Sequence, residues 1–327
     1  MIDKLTDVRL TRRKALSCLG AWSGAAVIWS VAGGVPRALG KAGDGKNGHA
    51  RGFTFAQISD THLGFKKEAN PDVVGTLRRC IADVNALPQA PAFVVHTGDI
   101  THLSKPEEFD LADQLFGELR VDRMHFVPGE HDALDNGLTG YLARHGKASG
   151  GKAWYSFDDH GVHFVGLSNV VDFKVGSMPT LGEEQLKWLQ QDLAAQSAST
   201  PVVVLAHIPL WTVYEPWGWG TADAEPALAA LRRFGSVTVL NGHIHQVMQK
   251  VEGHVAFHTA MSTAYPQPAP GAAESPGPLK VPAGELGRLL GTRELTVVRG
   301  AHQLATVDRP IDRPMATAAD AMAGVGT

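Results

Sequence analysis

The sequence predicts an α/β fold in which parallel strands are layered against helices, and two observations support this prediction. From Arg51 onward, short runs rich in β-branched and aromatic residues alternate with amphipathic stretches of helical period. Such alternation is typical of a parallel sheet whose crossover connections are helices. The 327 residues are also enough for one large domain with a buried core.

The first half of the domain reads as a β-α-β-α-β succession. The predicted strands cover residues 53–59, 92–98 and 124–129, and the predicted helices cover residues 71–87 and 105–119. The first helix has an apolar stripe at Val73, Leu77, Ile81 and Val84, with Cys80 beside it as a packing residue. The second helix has acidic residues in its first turn, which favour a helix N-terminus.

The second half continues with a hairpin, a helix and further strands. The predicted elements are a hairpin over residues 154–168, a helix over 181–196 and strands over 201–209 and 236–243. Later β-rich runs at 255–262, 294–300 and 302–308 predict a second, more antiparallel sheet. Residues 265–291 are rich in Pro, Gly and Ala and predict a long loop.

The two ends of the chain differ in composition from the domain. Arg12 and Arg13 precede an apolar stretch over residues 15–32, and small residues at Ala38 and Gly40 follow it. This order is typical of an export signal, which we place at residues 1–40, with an uncleaved membrane anchor as the alternative. The tail over residues 309–327 is rich in Ala and Gly and is predicted to be flexible.

The arginine pair resembles a twin-arginine signal, although Ala15 stands where that signal usually has phenylalanine. The resemblance predicts a bacterial protein that is periplasmic or secreted, that uses the twin-arginine export machinery, and that has no stable membrane partner. If Cys18 is removed with the signal, Cys80 alone remains and no intrachain disulfide can form. The net charge of −3, without a basic block, argues against nucleic acid as the main partner.

Ionisable residues follow five of the predicted strands. They are Asp60 and His62, Asp99, the run Glu130, His131 and Asp132, then His207, and finally His243 and His245. Because ligands bind at the carboxyl edge of layered α/β sheets, we expect these residues to share one site. Alternation along an extended segment would place both members of each x-spaced pair on the same side.

Such a set is costly to bury without a compensating cation. Carboxylates are destabilised in a protein interior, and neighbouring imidazoles cannot all be protonated. Imidazole nitrogen and carboxylate oxygen suit Zn, Mn and Fe. There are too many ligands for one ion, whereas two ions about 3.5 Å apart would use them all and activate a water between them. The sequence therefore predicts two metal ions, with a mixed pair as one option.

The ordered set resembles the calcineurin-like metallophosphoesterase superfamily, which includes purple acid phosphatases and cyclic nucleotide phosphodiesterases. The matching motifs lie between Phe53 and His258 and read Asp-x-His, Gly-Asp, Gly-Glu-His-Asp, His and Gly-His-x-His. The resemblance implies a four-layer α/β/β/α sandwich of two mixed sheets flanked by helices, which we place at residues 51–308. It also implies a binuclear hydrolase that cleaves phosphomonoesters or phosphodiesters with a metal-bridging hydroxide.

The family roles transfer to matching positions of this sequence. Asp60, His62 and His245 would hold the first metal, Asp99 would bridge, and His207 and His243 would hold the second. His131 would contact the phosphate and protonate the leaving oxygen, with Asp132 orienting its imidazole.

Glu130 departs from the family pattern, which has asparagine at this position. A glutamate adds one negative charge to the ligand set, which would tighten the second metal and disfavour dianionic monoesters. Two alternatives remain at this point. In the first, Glu130 turns away from the metals; in the second, it weakens catalysis and leaves a metal-occupied binding or scaffold protein.

Other residues have more ordinary readings. His96 lies within an apolar run and is predicted to be a core histidine, whereas His102 is a candidate partner of a metal ligand. The segment after His207 carries Trp211, Tyr214, Trp217 and Trp219, which would either anchor a folded loop or form one wall of a substrate cleft.

Overall fold

The computed structural model describes residues 28–32, 35–39, 52–135, 137–147, 149–174, 177–282, 284–298 and 304–312. The chain divides into two compact units, residues 1–49 and 50–327. In the first unit, the described residues form an antiparallel pair of strands, β1 (Ile28–Ala32) and β2 (Val35–Leu39). The rest of the predicted export signal at 1–40 lies outside the described residues. Among the helices that are described, none has an apolar stretch long enough to cross a bilayer.

The second unit alternates strands and helices along most of its length. Its described strands are β3 (Phe53–Ile58), β4 (Val94–His96), β5 (Met124–Phe126), β6 (Tyr155–Asp159), β7 (Val162–Gly166), β8 (Val202–Leu205), β9 (Val237–Asn241), β10 (Gln249–Glu252), β11 (Val255–Thr259), β12 (Gly291–Val297) and β13 (Ala305–Pro310). Its described helices are α1 (Val73–Asn85), α2 (Pro106–Phe116), α3 (Thr139–His145), α4 (Glu183–Ala194), α5 (Ala224–Leu231) and α6 (Leu286–Leu289).

The strands form two mixed sheets. One has the order β13-β12-β3-β4-β5, in which β3, β4 and β5 are parallel and β12 is antiparallel to both of its neighbours, β3 and β13. The other has the order β10-β11-β9-β8-β7-β6, in which the four inner strands are parallel and both edge strands are antiparallel.

Three apolar layers hold the sheets and helices together. On β3, Phe53 and Phe55 point to the layer between the two sheets, whereas Ala56 and Ile58 point to the helices α1 and α2. Strands of the other sheet alternate in the same way, with Val203 facing the first sheet and its neighbours facing α4 and α5. Because both faces of each sheet are covered, the strands are almost continuously apolar. The predicted fold of two mixed sheets flanked by helices is confirmed.

The local signals in the sequence also explain the helices. The Asp72 side chain accepts a hydrogen bond from the Gly75 amide at 2.8 Å and so caps α1. Pro106 opens α2 at a position where its missing N–H costs nothing. Cys80 is buried with Leu290 and Ile311, and burial raises the pKa of its thiol to about 12. The prediction that Cys80 is a packing residue agrees with this environment.

The prediction that the last three β-rich runs form a separate antiparallel sheet is wrong. Strand β11 joins the second-half strands in parallel with β9, whereas β12 and β13 extend the first sheet beside β3. The sequence pattern of a strand shows which faces are buried but does not encode the partner strand. The predicted flexible tail also begins too early, because β13 continues through Pro310. Residues 313–327 lie outside the described residues.

Candidate metal centre

The carboxyl ends of five strands bring the predicted ligands into one cluster. Eight of the nine predicted site residues belong to overlapping groups whose potential ligand atoms lie within 4.8 Å of one another. These residues are Asp60, His62, Asp99, Glu130, His131, His207, His243 and His245. Asp132 is the ninth, and it has a different environment that is described below.

The backbone at the x-spaced pairs is not extended, which corrects the reasoning from strand alternation. Asp60, His62, His243 and His245 have φ values of 54°, 41°, 69° and 57°, in the left-handed region. Asp99 has the same feature, with φ of 55°. Left-handed backbone costs about 1 kcal/mol or more at a residue with a Cβ atom, and such strain collects at functional sites. Tight turns at the strand ends, rather than pleating, aim these side chains into the cluster.

The first group of candidate ligands consists of Asp60, His62 and His245. Asp60 Oδ1 lies 3.2 Å from His245 Nε2, and the Nε2 atoms of His62 and His245 are also 3.2 Å apart. All three side chains are at most 2% exposed. Their potential ligand atoms therefore converge in a space that excludes bulk water.

The second group consists of Glu130, His207 and His243. Glu130 Oε2 lies 2.8 Å from His207 Nε2, and Glu130 Oε1 lies 2.8 Å from His243 Nδ1. Glu130 therefore points into the cluster, and the alternative in which it turns away is wrong.

Asp99 lies between the two groups. Its Oδ2 atom is 3.4 Å from His62 Nε2 in the first group and 3.4 Å from His207 Nε2 in the second. Its Oδ1 atom accepts a hydrogen bond from the His131 amide at 2.8 Å. One oxygen is thus held by the backbone while the other faces both groups, as a shared carboxylate requires.

Backbone carbonyls orient three of the imidazoles. His207 Nδ1 lies 2.7 Å from the Thr97 carbonyl, and His245 Nδ1 lies 2.6 Å from the Tyr265 carbonyl. His131 Nδ1 lies 2.7 Å from the carbonyl of His102. Because a carbonyl only accepts, each Nδ1 carries the proton, and in the neutral ring Nε2 has a free lone pair.

The second group contains buried polar atoms without hydrogen-bond partners. Glu130 Oε2, His207 Nε2 and His243 Nδ1 have no hydrogen-bond partner, although the nitrogen and oxygen atoms lie 2.8 Å apart. Nitrogen and oxygen atoms therefore meet in a buried space without hydrogen bonds to satisfy them. A divalent cation satisfies all of these atoms at once, so the residues fit a metal ion.

The pKa values of the ionisable side chains shift for different reasons in the two groups. Burial lowers the pKa of an imidazole, but the carboxylates of Asp99 and Glu130 hold the pKa of His207 well above its usual value. Burial raises the pKa of a carboxyl, but the imidazoles of His243 and His207 hold the pKa of Glu130 well below its usual value. In the first group, burial and the neighbouring imidazoles of His131 and His245 hold the pKa of His62 well below its usual value.

The predicted role of Asp132 is corrected by its contacts. Its carboxylate accepts hydrogen bonds from the amides of Gly129, Ile100 and Thr101 at 3.0, 3.1 and 2.9 Å, and from the Thr101 hydroxyl at 2.9 Å. The carbonyl of His102, rather than Asp132, holds the His131 ring. Asp132 therefore ties the loop that carries His131 to the loop that follows Asp99.

Two further residues lie beside the first group. The Tyr265 hydroxyl lies 3.2 Å from His62 Nε2, although the sequence pattern places Tyr265 only at the start of a predicted loop. His102 stacks on His131 with ring centroids 4.9 Å apart, and its Nδ1 is 3.5 Å from His62 Nδ1. His102 thus touches both a predicted ligand and the predicted acid, in agreement with its reading as a candidate ligand partner.

The surroundings of Gly98 explain why a glycine precedes Asp99 in the Gly-Asp motif. A Cβ atom at this position would lie 2.4 Å from His207 Nδ1, and the residue has φ of +98°. Both the backbone conformation and the close approach of the imidazole therefore require glycine. The sequence shows the glycine beside Asp99 but not the residue that requires it, because His207 is more than a hundred residues away.

The aromatic segment after His207 is anchored beside the second group. Trp219 is 1% exposed, and its ring centroid lies 6.2 Å from that of His243. Trp217 contacts Trp219 with centroids 4.9 Å apart, and Tyr214 contacts Trp217 at 5.2 Å. Trp211 instead packs on Phe257 at 5.1 Å. The segment is therefore a folded aromatic loop that borders the cluster.

Comparisons with known proteins show the family and the fold. A sequence profile of the family described as calcineurin-like phosphoesterase matches residues 53–247. The chain is 26% identical over 215 residues to the probable glycerophosphodiester phosphodiesterase GpdQ of Arcobacter nitrofigilis, covering 64% of this chain and 78% of that protein. It is 28% identical over 218 residues to the serine/threonine-protein phosphatase CPPED1 of Danio rerio, covering 59% of this chain and 70% of that protein.

Solved structures show the same fold at low sequence identity. A dimetal phosphatase from Danio rerio aligns with a TM-score of 0.56 at 17% identity, covering 79% of this chain and 99% of that one. The purple acid phosphatase PPD1 from yellow lupin aligns with a TM-score of 0.52 at 15% identity, covering 79% of this chain and 51% of that one.

Proposed function

This chain belongs to the calcineurin-like phosphoesterase family, and we therefore propose that it is an exported hydrolase of phosphate esters that depends on two metal ions. Similar curated proteins are named as phosphodiesterases and phosphatases, which supports a hydrolase. The observation that carries the metal dependence is the convergence of unpartnered Glu130 Oε2, His207 Nε2 and His243 Nδ1 in a buried space.

The two groups and the carboxylate between them provide positions for two cations. The first would be held by Asp60, His62 and His245, the second by Glu130, His207 and His243, and Asp99 would be shared. Metal ions of this kind neutralise phosphoryl oxygens and supply a water that ionises near neutral pH. Iron, manganese and zinc all suit this donor set, and a mixed pair is compatible with it.

His131 is placed to act as the general acid. The carbonyl of His102 holds its Nδ1–H, so any second proton resides on Nε2, which is available to a leaving group. Burial lowers the pKa of this imidazole, but the carboxylates of Asp99 and Glu130 outweigh it and raise the pKa above its usual value. A protonated His131 donates to the departing oxygen, a role that contributes about 10²–10⁴-fold in rate.

Glu130 favours phosphodiesters over phosphomonoesters. With Asp60 and Asp99 it brings three carboxylates to the cluster, so two divalent ions would leave one formal positive charge rather than two. A dianionic monoester loses more attraction from this change than a monoanionic diester does. The similarity to a probable glycerophosphodiester phosphodiesterase supports the same preference.

Turnover assays test the proposed activity. Purified protein loaded with Mn²⁺, Zn²⁺ or iron should hydrolyse bis(p-nitrophenyl) phosphate faster than p-nitrophenyl phosphate, and a chelator should abolish both reactions. Metal-loaded protein that hydrolyses neither ester would support the scaffold alternative instead. That alternative is not favoured, because the similar curated proteins are enzymes.

Export is supported only by the amino-terminal sequence. We propose that residues 1–40 direct the folded protein through the twin-arginine route to the periplasm or beyond. A reporter fused after residue 40 should be exported with the native sequence and retained in the cytoplasm when Arg12 and Arg13 are both replaced by lysine. Equal export of both fusions would contradict the twin-arginine route.

A further inference from the structure

A continuous line of buried polar side chains runs from Arg293 on β12 to Asp60. Arg293 Nη1 is 3.5 Å from Gln57 Oε1, and Gln57 Nε2 donates to Thr97 Oγ1 at 3.0 Å. Thr97 Oγ1 donates to Ser59 Oγ at 2.6 Å, and Ser59 Oγ donates to Asp60 Oδ2 at 2.5 Å. Each of the five residues is at most 1% exposed.

The chemistry of these groups gives the line one direction. A guanidinium only donates, so Gln57 Oε1 faces Arg293 and its NH₂ faces Thr97. The hydroxyl of Thr97 accepts from this NH₂ and gives its single proton to Ser59. Ser59 in turn gives its single proton to Asp60. Every donor therefore points from the buried cation toward the buried carboxylate, an arrangement in which successive hydrogen bonds polarise and strengthen one another.

The line leaves one oxygen of Asp60 for the metal centre. Oδ2 is held by Ser59. Oδ1 accepts from the amide of His243 at 3.0 Å and lies 3.2 Å from His245 Nε2. Both the rotation of the carboxylate and the identity of its free oxygen are therefore fixed by contacts within the protein.

Gly242 allows this arrangement to fit. A Cβ atom at Gly242 would lie 2.3 Å from Ser59 Oγ and 2.6 Å from Asp60 Oδ2. The chain that carries His243 thus passes directly against the last hydrogen bond of the line, and a side chain there would displace it. Ser59 precedes Asp60, Gly242 precedes His243, and Thr97 lies two positions before Asp99. The three residues meet at one point in the structure.

We propose that Ser59 and Thr97 are positioning residues that, together with Gln57 and Arg293, hold Asp60 so that only Oδ1 faces the first metal position. This inference rests on the proposed metal-dependent function. Hydroxyl groups that touch neither the metal nor the substrate would then help to determine how tightly the first metal binds. Loss of such outer partners typically weakens metal affinity or activity by about 10–100-fold.

Metal titration of matched variants tests the proposal. Ser59→Ala removes the last donor, and Thr97→Val removes the link before it at nearly constant volume. Thr97→Ser keeps the hydroxyl and serves as the conservative rescue. Thr61→Val is the control, because Thr61 is also buried beside Asp60 but its hydroxyl donates to the Ile100 carbonyl at 2.8 Å. Metal-free wild type and variants are titrated with Mn²⁺ by calorimetry, with thermal unfolding as the check on folding.

The expected result is a selective loss at one of two Mn²⁺ positions. Ser59→Ala should weaken it by about 10–100-fold, Thr97→Val by less in the same direction, and Thr97→Ser and Thr61→Val should bind like wild type. Ser59→Ala and Thr97→Val that bind both ions like the control would overturn the positioning role and leave the proposed function intact. Wild-type protein that binds no Mn²⁺, Zn²⁺ or iron would overturn the proposed function and this inference together.

Discussion

Two clusters of histidine and carboxylate lie at opposite ends of the six-stranded sheet, and they are satisfied in different ways. His163 pairs in register with Val202, the first residue of β8, whereas His207 follows the last residue of that strand by two positions. His163 Nδ1 and Nε2 make hydrogen bonds of 2.8 Å to Asp158 and Asp192. His207 Nε2 lies equally close to Glu130 Oε2, at 2.8 Å, but neither atom has a hydrogen-bond partner.

The difference teaches how a metal centre can be told from an ion pair made of the same residue types. At His163, both ring nitrogens face carboxylates, and protons compensate the negative charge. At His207, a backbone carbonyl accepts the Nδ1–H, and Nε2 faces a carboxylate oxygen. The first arrangement is satisfied by hydrogen bonds, whereas the second leaves Nε2 and Oε2 without a hydrogen bond and fits a cation. The first should therefore respond to pH, and the second to metal removal.

The largest effect is expected at the carboxylate shared by the two metal groups. Asp99→Ala removes the one oxygen that faces both His62 and His207. We expect loss of both metal ions and a fall in phosphodiester turnover larger than the roughly 10–100-fold typical of outer partners. Elemental analysis and a turnover assay check this, with Thr61→Val as a control that leaves the carboxylate in place. Full metal content in Asp99→Ala would contradict the role of Asp99 as the carboxylate shared by the two groups.

The next effect is expected at the proposed acid, which borders the metal cluster. His131→Ala should slow the hydrolysis of esters with poor leaving groups by about 10²–10⁴-fold. Esters with good leaving groups need less protonation and should lose much less. Rates measured for a series of aryl phosphodiesters give the dependence on leaving-group acidity. Equal losses across the series would remove His131 from the role of acid.

A smaller and more selective effect is expected at Glu130, the carboxylate that distinguishes the second group from the family pattern. Glu130→Asn should weaken one metal position and raise the relative activity on phosphomonoesters, because it removes one negative charge. Glu130→Gln also removes the charge but keeps the length of the side chain, so it should shift the monoester-to-diester ratio in the same direction as Glu130→Asn. Unchanged metal content together with an unchanged monoester-to-diester ratio in Glu130→Asn would show that the charge argument is wrong.

The smallest effect is expected at His163, whose ring nitrogens make hydrogen bonds to two carboxylates. Burial lowers the pKa of His163, but its hydrogen bonds to Asp192 and Asp158 raise it above the usual value of 6.5. A raised imidazole pKa gives stability that is fully present below pH 6.5 and is lost as the pH rises through the folded-state value. The stability of wild type relative to His163→Gln should therefore be greater at pH 6 than at pH 9.

Thermal unfolding at several pH values measures this difference, which we expect to be roughly 2–4 °C, about 1 kcal/mol for a domain of this size. Metal content and turnover should stay unchanged in His163→Gln, since the residue lies at the edge away from the metal centre. A stability difference that is constant from pH 6 to pH 9 would mean that no proton is held between His163 and its two carboxylates.

The residues that cluster as candidate ligands could be predicted from sequence because each lies near the end of a strand, and the fold brings those ends together. The orientation of the side chains could not. The extended geometry expected at Asp60 and His62 is replaced by left-handed turns. Asp132 lies next to His131 in sequence, yet its oxygens face the amides of a different loop.

Contacts between distant segments also could not be predicted from the sequence pattern. Strand β12 pairs with β3 although more than two hundred residues separate them. That pairing brings Arg293 to Gln57 and so begins the line of hydrogen bonds to Asp60. A lone sequence carries the burial pattern of each strand but no signal for its partner.

The measurement that tests the central claim most directly is the metal content of the purified wild-type protein. Protein that has been dialysed, and checked for folding by thermal unfolding, is analysed for Fe, Mn and Zn after exposure to each metal. The two ligand groups joined by Asp99 predict two tightly bound ions per chain, with loss of phosphodiester turnover when a chelator removes them. Folded protein that hydrolyses phosphodiesters with no bound metal, and with no response to a chelator, would contradict the account.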